Sequence, residues 1–139
     1  MQRLPLEGVR VVDFSQIWAG PWAGRIMGDL GAEVIKVESI QLYDASRGPK
    51  GKQLLVGGYP VDVPGKTYNQ RLVFHHWNRN KYGITLNLKD EAGLDIVKRL
   101  VKISDVIIEN FPPRVMDSFG LAYPALTKIK PDIIMLSMP

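Results

Sequence analysis

The sequence predicts an α/β protein built on a parallel sheet with flanking helices, and three observations carry that prediction. A short apolar run, Val9, Val11, Val12 and Phe14, is followed by apolar residues at helical spacing, Trp22, Ala23, Ile26, Met27 and Leu30, and then by a second apolar run, Val34, Ile35 and Val37. Strand, helix and strand over residues 9–38 make a βαβ unit, whose crossover places both strands in one parallel sheet. The same alternation returns in the second half of the chain, so that about five strands alternate with helices.

Taken in order, the first run reads as a strand buried on both faces, because it is β-branched and nearly continuous. Residues 15–20 break into a loop. Pro21, with fixed φ and no N–H, suits the first position of a helix, which Gly31 stops. Residues 39–82 change character: glycine and proline are frequent and apolar runs are few. This stretch, loop-rich above all over 40–77, reads as a functional loop or an interface arm inserted in a compact domain.

Regular structure resumes where Ile84, Leu86 and Leu88 alternate with Thr85 and Asn87, as in a half-buried strand. Asp90 and Glu91 then open a helix with the apolar face Ala92, Ile96, Val97, Leu100 and Val101, and Lys98, Arg99 and Lys102 close it, which complements the helix dipole. Val106, Ile107 and Ile108 form another buried strand, and the Pro112, Pro113 pair prevents an immediate helix. A short helix over 115–119, another over 124–129 and a last strand over 133–136 complete the chain. A parallel strand normally hands over to a further helix, so the sequence looks cut after Pro139.

Composition bounds the function. The 139 residues suit one domain, and 45% hydrophobic residues can bury a single core. Zero cysteines exclude disulfides, thiolate metal sites and a cysteine nucleophile. No stretch approaches the roughly 18 apolar residues of a membrane span, and MQRLPLEG carries no targeting core, so a cytoplasmic protein without membrane contact is the expectation. The net charge of +4 is spread without an aromatic-interleaved basic stripe, which argues against nucleic acid and suits a phosphate-bearing ligand.

Ligands of parallel sheets sit at the carboxyl ends of the strands, so the loop after the first strand is the place to look. Glu38 falls 18 residues after Gly20, where a dinucleotide fold carries its ribose-binding acid. The rest of that fingerprint fails. Gly20, Gly24 and Gly28 are four apart and so lie on one narrow helical face, which reads first as close packing of helix on sheet and second as a surface for a flat ligand or second chain. Asp13 reads as the cap of the following turn. Adjacent His75 and His76 point apart and find no partner at metal-ligand spacing, so no metal is expected. Asn78, Arg79, Asn80 and Lys81 form either a solvated turn or an anion-facing loop.

Several segments resemble one family, the family III CoA-transferases, also called the CaiB/BaiF family: LEGVRVVDF (6–14), AGPWAGRIMGDLGAEVIKVE (19–38), NRNKYGITLNLK (78–89), DVIIENF (105–111) and PDIIMLSMP (131–139). The resemblance covers nearly the whole chain apart from residues 40–77. It implies a Rossmann-like large domain built from both chain ends, of which residues 1–139 are the amino-terminal, CoA-binding part, in a homodimer whose subunits interlock. It also implies an enzyme that moves CoA between an acyl-CoA and a small carboxylic acid through an aspartyl-CoA intermediate, with coenzyme A as substrate and no metal.

Position by position, the resemblance places CoA contacts at Trp18 and Ala19 in the first loop and at Leu86, Asn87, Leu88 and Lys89, Lys89 facing phosphate as a point charge. Asn110, Phe111 and Pro112 border the nucleotide, and Arg47 beside Gly48 is a phosphate contact. Ser39 and Ser118 stand where some members have arginines, and Pro139 near where some have a lysine. The family's nucleophilic aspartate lies beyond the closing strand, so no catalytic residue is placed in this chain. An acyl-CoA racemase or epimerase of the same superfamily and a non-catalytic CoA-binding fragment are the alternatives.

Overall fold

The computed structural model describes residues 3–48, 53–56, 59–62 and 71–139. Five strands form one sheet: β1 Arg10–Asp13, β2 Glu33–Glu38, β5 Lys81–Thr85, β6 Val106–Glu109 and β7 Ile134–Ser137. Their order is β5-β2-β1-β6-β7, every neighbouring pair parallel. From β1 the chain builds outward to β2 and β5, then crosses to β6 and builds outward to β7. The reversal falls between β1 and β6, and crevices at such a reversal are where open α/β sheets take ligands.

Helices cover both faces. On one face α1 (Ala19–Asp29) packs over Val11, Val34, Val106 and Ile108 through Ala23 and Met27. On the other, α3 (Glu91–Lys102), α4 (Val115–Ser118) and α5 (Tyr123–Ile129) enclose the larger core of Val12, Phe14, Val97, Val101, Ile107, Leu121 and Leu126. The interior strand β6 is buried along its whole length, whereas edge strand β7 leaves Ile134 and Leu136 exposed.

Two expectations need correction. Helix α1 begins at Ala19, two residues before Pro21. A proline is tolerated there because first-turn N–H groups have no partner within the helix. The third strand of the sheet is Lys81–Thr85, so Leu86 and Leu88 lie past its end. Its pairing stops where β2 stops: Glu38 faces Thr85, and the Leu86 amide makes the last bond to the Glu38 carbonyl. The stretch 39–82 carries some regular structure among the described residues. It holds a 3₁₀ turn at Ala45–Arg47, an antiparallel pair of β3 (Gln53–Val56) and β4 (Tyr59–Asp62), and helix α2 (Leu72–Asn78). Helix α2 packs against α1, so a tertiary partner supplies what the weak local pattern does not.

The glycine stripe of α1 is explained by packing. A Cβ on Gly24 would stand 2.9 Å from Asp13 Oδ2 and 3.2 Å from Lys81 Nζ, and one on Gly28 would stand 3.0 Å from the Asn80 carbonyl oxygen. The bare face lets the helix settle onto β1 and β5. The opposite face carries Trp18, Trp22, Ile26 and Leu30, also four apart and all exposed.

Candidate functional site

The chain leaves β1 through Phe14, whose amide still bonds the Ile108 carbonyl at 2.8 Å, and enters the loop 15–18 at the sheet reversal. Beneath that loop lie two buried acid–lysine pairs. Lys81 Nζ donates to Asp13 Oδ2 at 2.8 Å, Asn78 Oδ1 at 2.9 Å and the Pro21 carbonyl at 3.0 Å, so each ammonium proton has an acceptor. Lys36 Nζ donates to the Ser15 carbonyl at 2.7 Å and stands 3.2 Å from Asp44 Oδ2. The two pairs meet at Ser15, whose amide and hydroxyl both donate to Asp13 Oδ1. Asp13 therefore caps the turn as its position suggested, and also neutralises a lysine.

Their protonation follows from burial and partners. Burial pushes the Lys81 ammonium below its usual range, and Asp13 only partly restores it. Burial alone would raise the Asp44 carboxyl, but the Lys36 charge and the hydrogen bonds from Ser46 and Ile17 outweigh it and hold it low.

Beside the loop, the carboxyl ends of β1, β2, β5 and β6 enclose a groove of about 490 Å³. Its walls are apolar, formed by Phe14, Val37, Leu86 and Leu88 together with Phe111, Pro112, Val115 and Phe119. Its rim carries Glu38, Ser39, Asn87 and Lys89. Asn87 shapes the turn by donating to Asp90 Oδ2 at 2.6 Å and accepting the Lys89 amide at 3.2 Å. Gly93 of α3 lets that turn approach, since a Cβ there would run into the Asn87 carbonyl.

Six of the ten residues singled out from the sequence therefore line one groove: Leu86, Asn87, Leu88, Lys89, Phe111 and Pro112. The other four lie around it. Trp18 caps α1 with its indole against Trp77, ring centroids 4.6 Å apart, and Ala19 is the first helical residue. Asn110 turns toward the loop, accepting the Gln16 amide at 2.7 Å and donating to the Gln16 carbonyl at 2.8 Å. Arg47 forks onto both oxygens of Glu38 at 2.8 and 2.9 Å, with its guanidinium 3.5 Å above the Phe74 ring.

Sequence reasoning missed Lys36 and Asp44. A signal for the first was present, because Lys36 interrupts the apolar run Val34, Ile35, Val37, where an unpaired charge would be costly. Nothing local marks Asp44 as its partner. His76 Nε2 lies 2.9 Å from Arg25 Nη1, and among the described residues no group of three His, Cys, Asp or Glu side chains is placed to hold a metal ion. No helix among the described residues is long and apolar enough to cross a membrane.

Residues 6–139 match the sequence pattern of CoA-transferase family III. The chain is 42% identical to the succinyl-CoA:glutarate CoA-transferase of Mus musculus over 134 residues, 96% of this chain and 28% of that protein. It is 37% identical to the formyl-CoA:oxalate CoA-transferase of Afipia carboxidovorans, again over 96% of this chain and 28% of that protein. The crystal structure of a CAIB/BAIF family protein from Brucella suis superposes with a TM-score of 0.78 at 40% identity, covering 98% of this chain and 33% of that one. The chain thus spans about a third or less of the length of these relatives.

Proposed function

The chain belongs to CoA-transferase family III, and from that premise we propose that residues 1–139 are the amino-terminal, CoA-binding part of the large domain of an enzyme that moves CoA from an acyl-CoA to a small carboxylic acid. The observation that carries the reading is the groove at the sheet's carboxyl edge. Two separate segments, residues 86–89 and 111–112, converge there, and their six residues are among the ten that the family resemblance assigns to CoA. Apolar walls suit a flat adenine, and Lys89, in no ion pair among the described residues, suits a phosphate at the rim. Arg47 fits the phosphate role less well, being engaged by Glu38 and Phe74.

The chemistry we infer is covalent. A carboxylate oxygen attacks the donor thioester carbonyl, forming an anhydride and expelling CoA thiolate. The thiolate attacks the aspartyl carbonyl of that anhydride, giving aspartyl-CoA and freeing the donor acid. The acceptor carboxylate then takes the aspartyl group as an anhydride, and the released thiolate attacks the acceptor's carbonyl, returning the aspartate. The carboxylates that end strands here have other work: Asp13 holds Lys81, Glu38 holds Arg47, and Glu109 accepts the Phe111 amide at 2.8 Å and the Ser137 hydroxyl. We therefore place the nucleophile outside these residues.

Calorimetric titration with CoA and with NAD tests the reading, which requires binding of CoA; binding of NAD alone would overturn it. Loss of a covalent nucleophile costs on the order of 10⁶ in kcat, so the 139-residue chain should show no transfer from succinyl-CoA above background. Turnover that disappears in Asp13→Asn would move the nucleophile into this chain. We also place the protein in the cytoplasm and in a dimer or larger assembly. The helix face beside Gly24 and Gly28 is covered by Asn80 and Lys81, and the motive for assembly is the exposed apolar stripe Trp18, Trp22, Ile26 and Leu30. Light scattering that gives a monodisperse monomer at high concentration would remove the assembly.

A further inference from the structure

Ile17 has φ +70°. A β-branched residue pays heavily for this left-handed conformation, which persists only where surrounding structure over-determines it. Here the determinants are visible and come from three directions. Asn110, just past β6, holds both the amide and the carbonyl of Gln16. Asp44 accepts the Ile17 amide at 3.1 Å from the turn after β2. Lys36, inside β2, holds the Ser15 carbonyl. The backbone of residues 15–17 is thus bonded by side chains from across the sheet reversal, immediately before Trp18 and the first turn of α1.

We propose that Asn110 is a positioning residue: it sets the strained turn at Gln16 and Ile17, and through it the place of Trp18 and Ala19, without contacting the ligand itself. Its side-chain amide offers one N–H pair and one carbonyl, and the Gln16 backbone engages both groups. The consequence for ligand rests on the CoA reading above; the holding of the loop does not. Strain of this kind is a cost in the free chain that keeps the loop in one shape before a ligand arrives.

The test uses the full 139-residue chain, the variants Asn110→Ala, Ile17→Gly and both together, and two measurements. One is the hydrogen-exchange protection of the residue 17 amide without ligand, and the other is titration with CoA. Asn110→Ala removes two neutral hydrogen bonds, so protection of the residue 17 amide should fall about tenfold although its acceptor Asp44 is intact, and CoA should bind about tenfold more weakly. Glycine adopts positive φ without strain, so the double variant should return toward Ile17→Gly alone in both measurements. Should Asn110→Ala fail to fold, Asn110→Asp keeps the acceptor for the Gln16 amide and should give a smaller loss of both, again rescued by Ile17→Gly. A variant that loses CoA while keeping residue 17 protected, or a double variant that regains protection but not CoA, would make Asn110 a ligand contact and overturn the proposal. No change in either measurement would overturn it too. If the unaltered chain takes no CoA, the functional reading fails, and the exchange measurement alone decides whether Asn110 holds the loop.

Discussion

The loop 15–18 and the groove beside it occupy the same edge of the sheet but are built on opposite principles. Under the loop, Asp13 and Asp44 are fully buried and answered by Lys81 and Lys36, with nearly every polar atom matched. In the groove, aliphatic and aromatic side chains line an open space, the Glu38 charge is taken up by Arg47, and Lys89 is exposed. A buried network tolerates little change, because removing one member leaves another charged and dry. Apolar walls tolerate more, since they offer area without directional bonds. The contrast assigns geometry to the first region and adaptable contact to the second.

The sharpest way to break that comparison is to remove one lysine from each region. Lys81→Met leaves Asp13 buried without a counter-charge and should cost about 3–5 kcal/mol in urea unfolding, while Lys89→Met should cost under about 0.5 kcal/mol. Adding Asp13→Asn to Lys81→Met should recover much of the loss, since the uncompensated charge is then gone. Equal losses at Lys81 and Lys89 would erase the distinction.

Gly28→Ala asks how closely α1 seats on the β5 side of the network. The new methyl would press on the Asn80 carbonyl and Cβ, at 3.0 and 3.3 Å. Overpacking of about 1–3 kcal/mol should exceed the helix-propensity gain of at most about 1 kcal/mol, so the melting temperature should drop.

The pH dependence of stability sharpens the comparison without mutation. Asp44 is held below its ordinary value of 3.8, so its contribution is complete above that pH and is lost as pH falls through the lower folded value. Lys81 is shifted below 10.5, so its buried charge is a penalty at neutral pH that is relieved as pH rises from the folded value toward 10.5. Urea titrations should therefore show an acid slope that flattens in Asp44→Asn and an alkaline gain that disappears in Lys81→Met.

The smallest effect belongs to the rim. Lys89→Ala should raise the Kd for CoA about two- to fivefold at low salt, a difference that should shrink at high salt because an exposed charge is screened. A salt-independent loss would place Lys89 inside the dry region instead.

The sequence by itself determined the parallel α/β class, the positions of the five strands to within a few residues, and the family. Those features are written in local periodicity and short contiguous motifs, such as the run 9–38, and each segment carries its own signal. The family resemblance, not the periodicity, singled out six of the residues that line the groove, and they come together because residues that follow the strands of a parallel sheet share one edge. Tertiary structure alone decided the rest. Helix α2 exists by packing on α1, and the glycine stripe acquired its meaning from Asn80, Asp13 and Lys81, which lie outside the helix. Only the fold joined Lys36 to Asp44, turned Asn110 onto Gln16 and turned Arg47 onto Glu38. A buried charge announces in sequence that it needs a partner, but the partner is chosen by which loops the sheet brings together, and that choice is a property of three-dimensional proximity that no local pattern records.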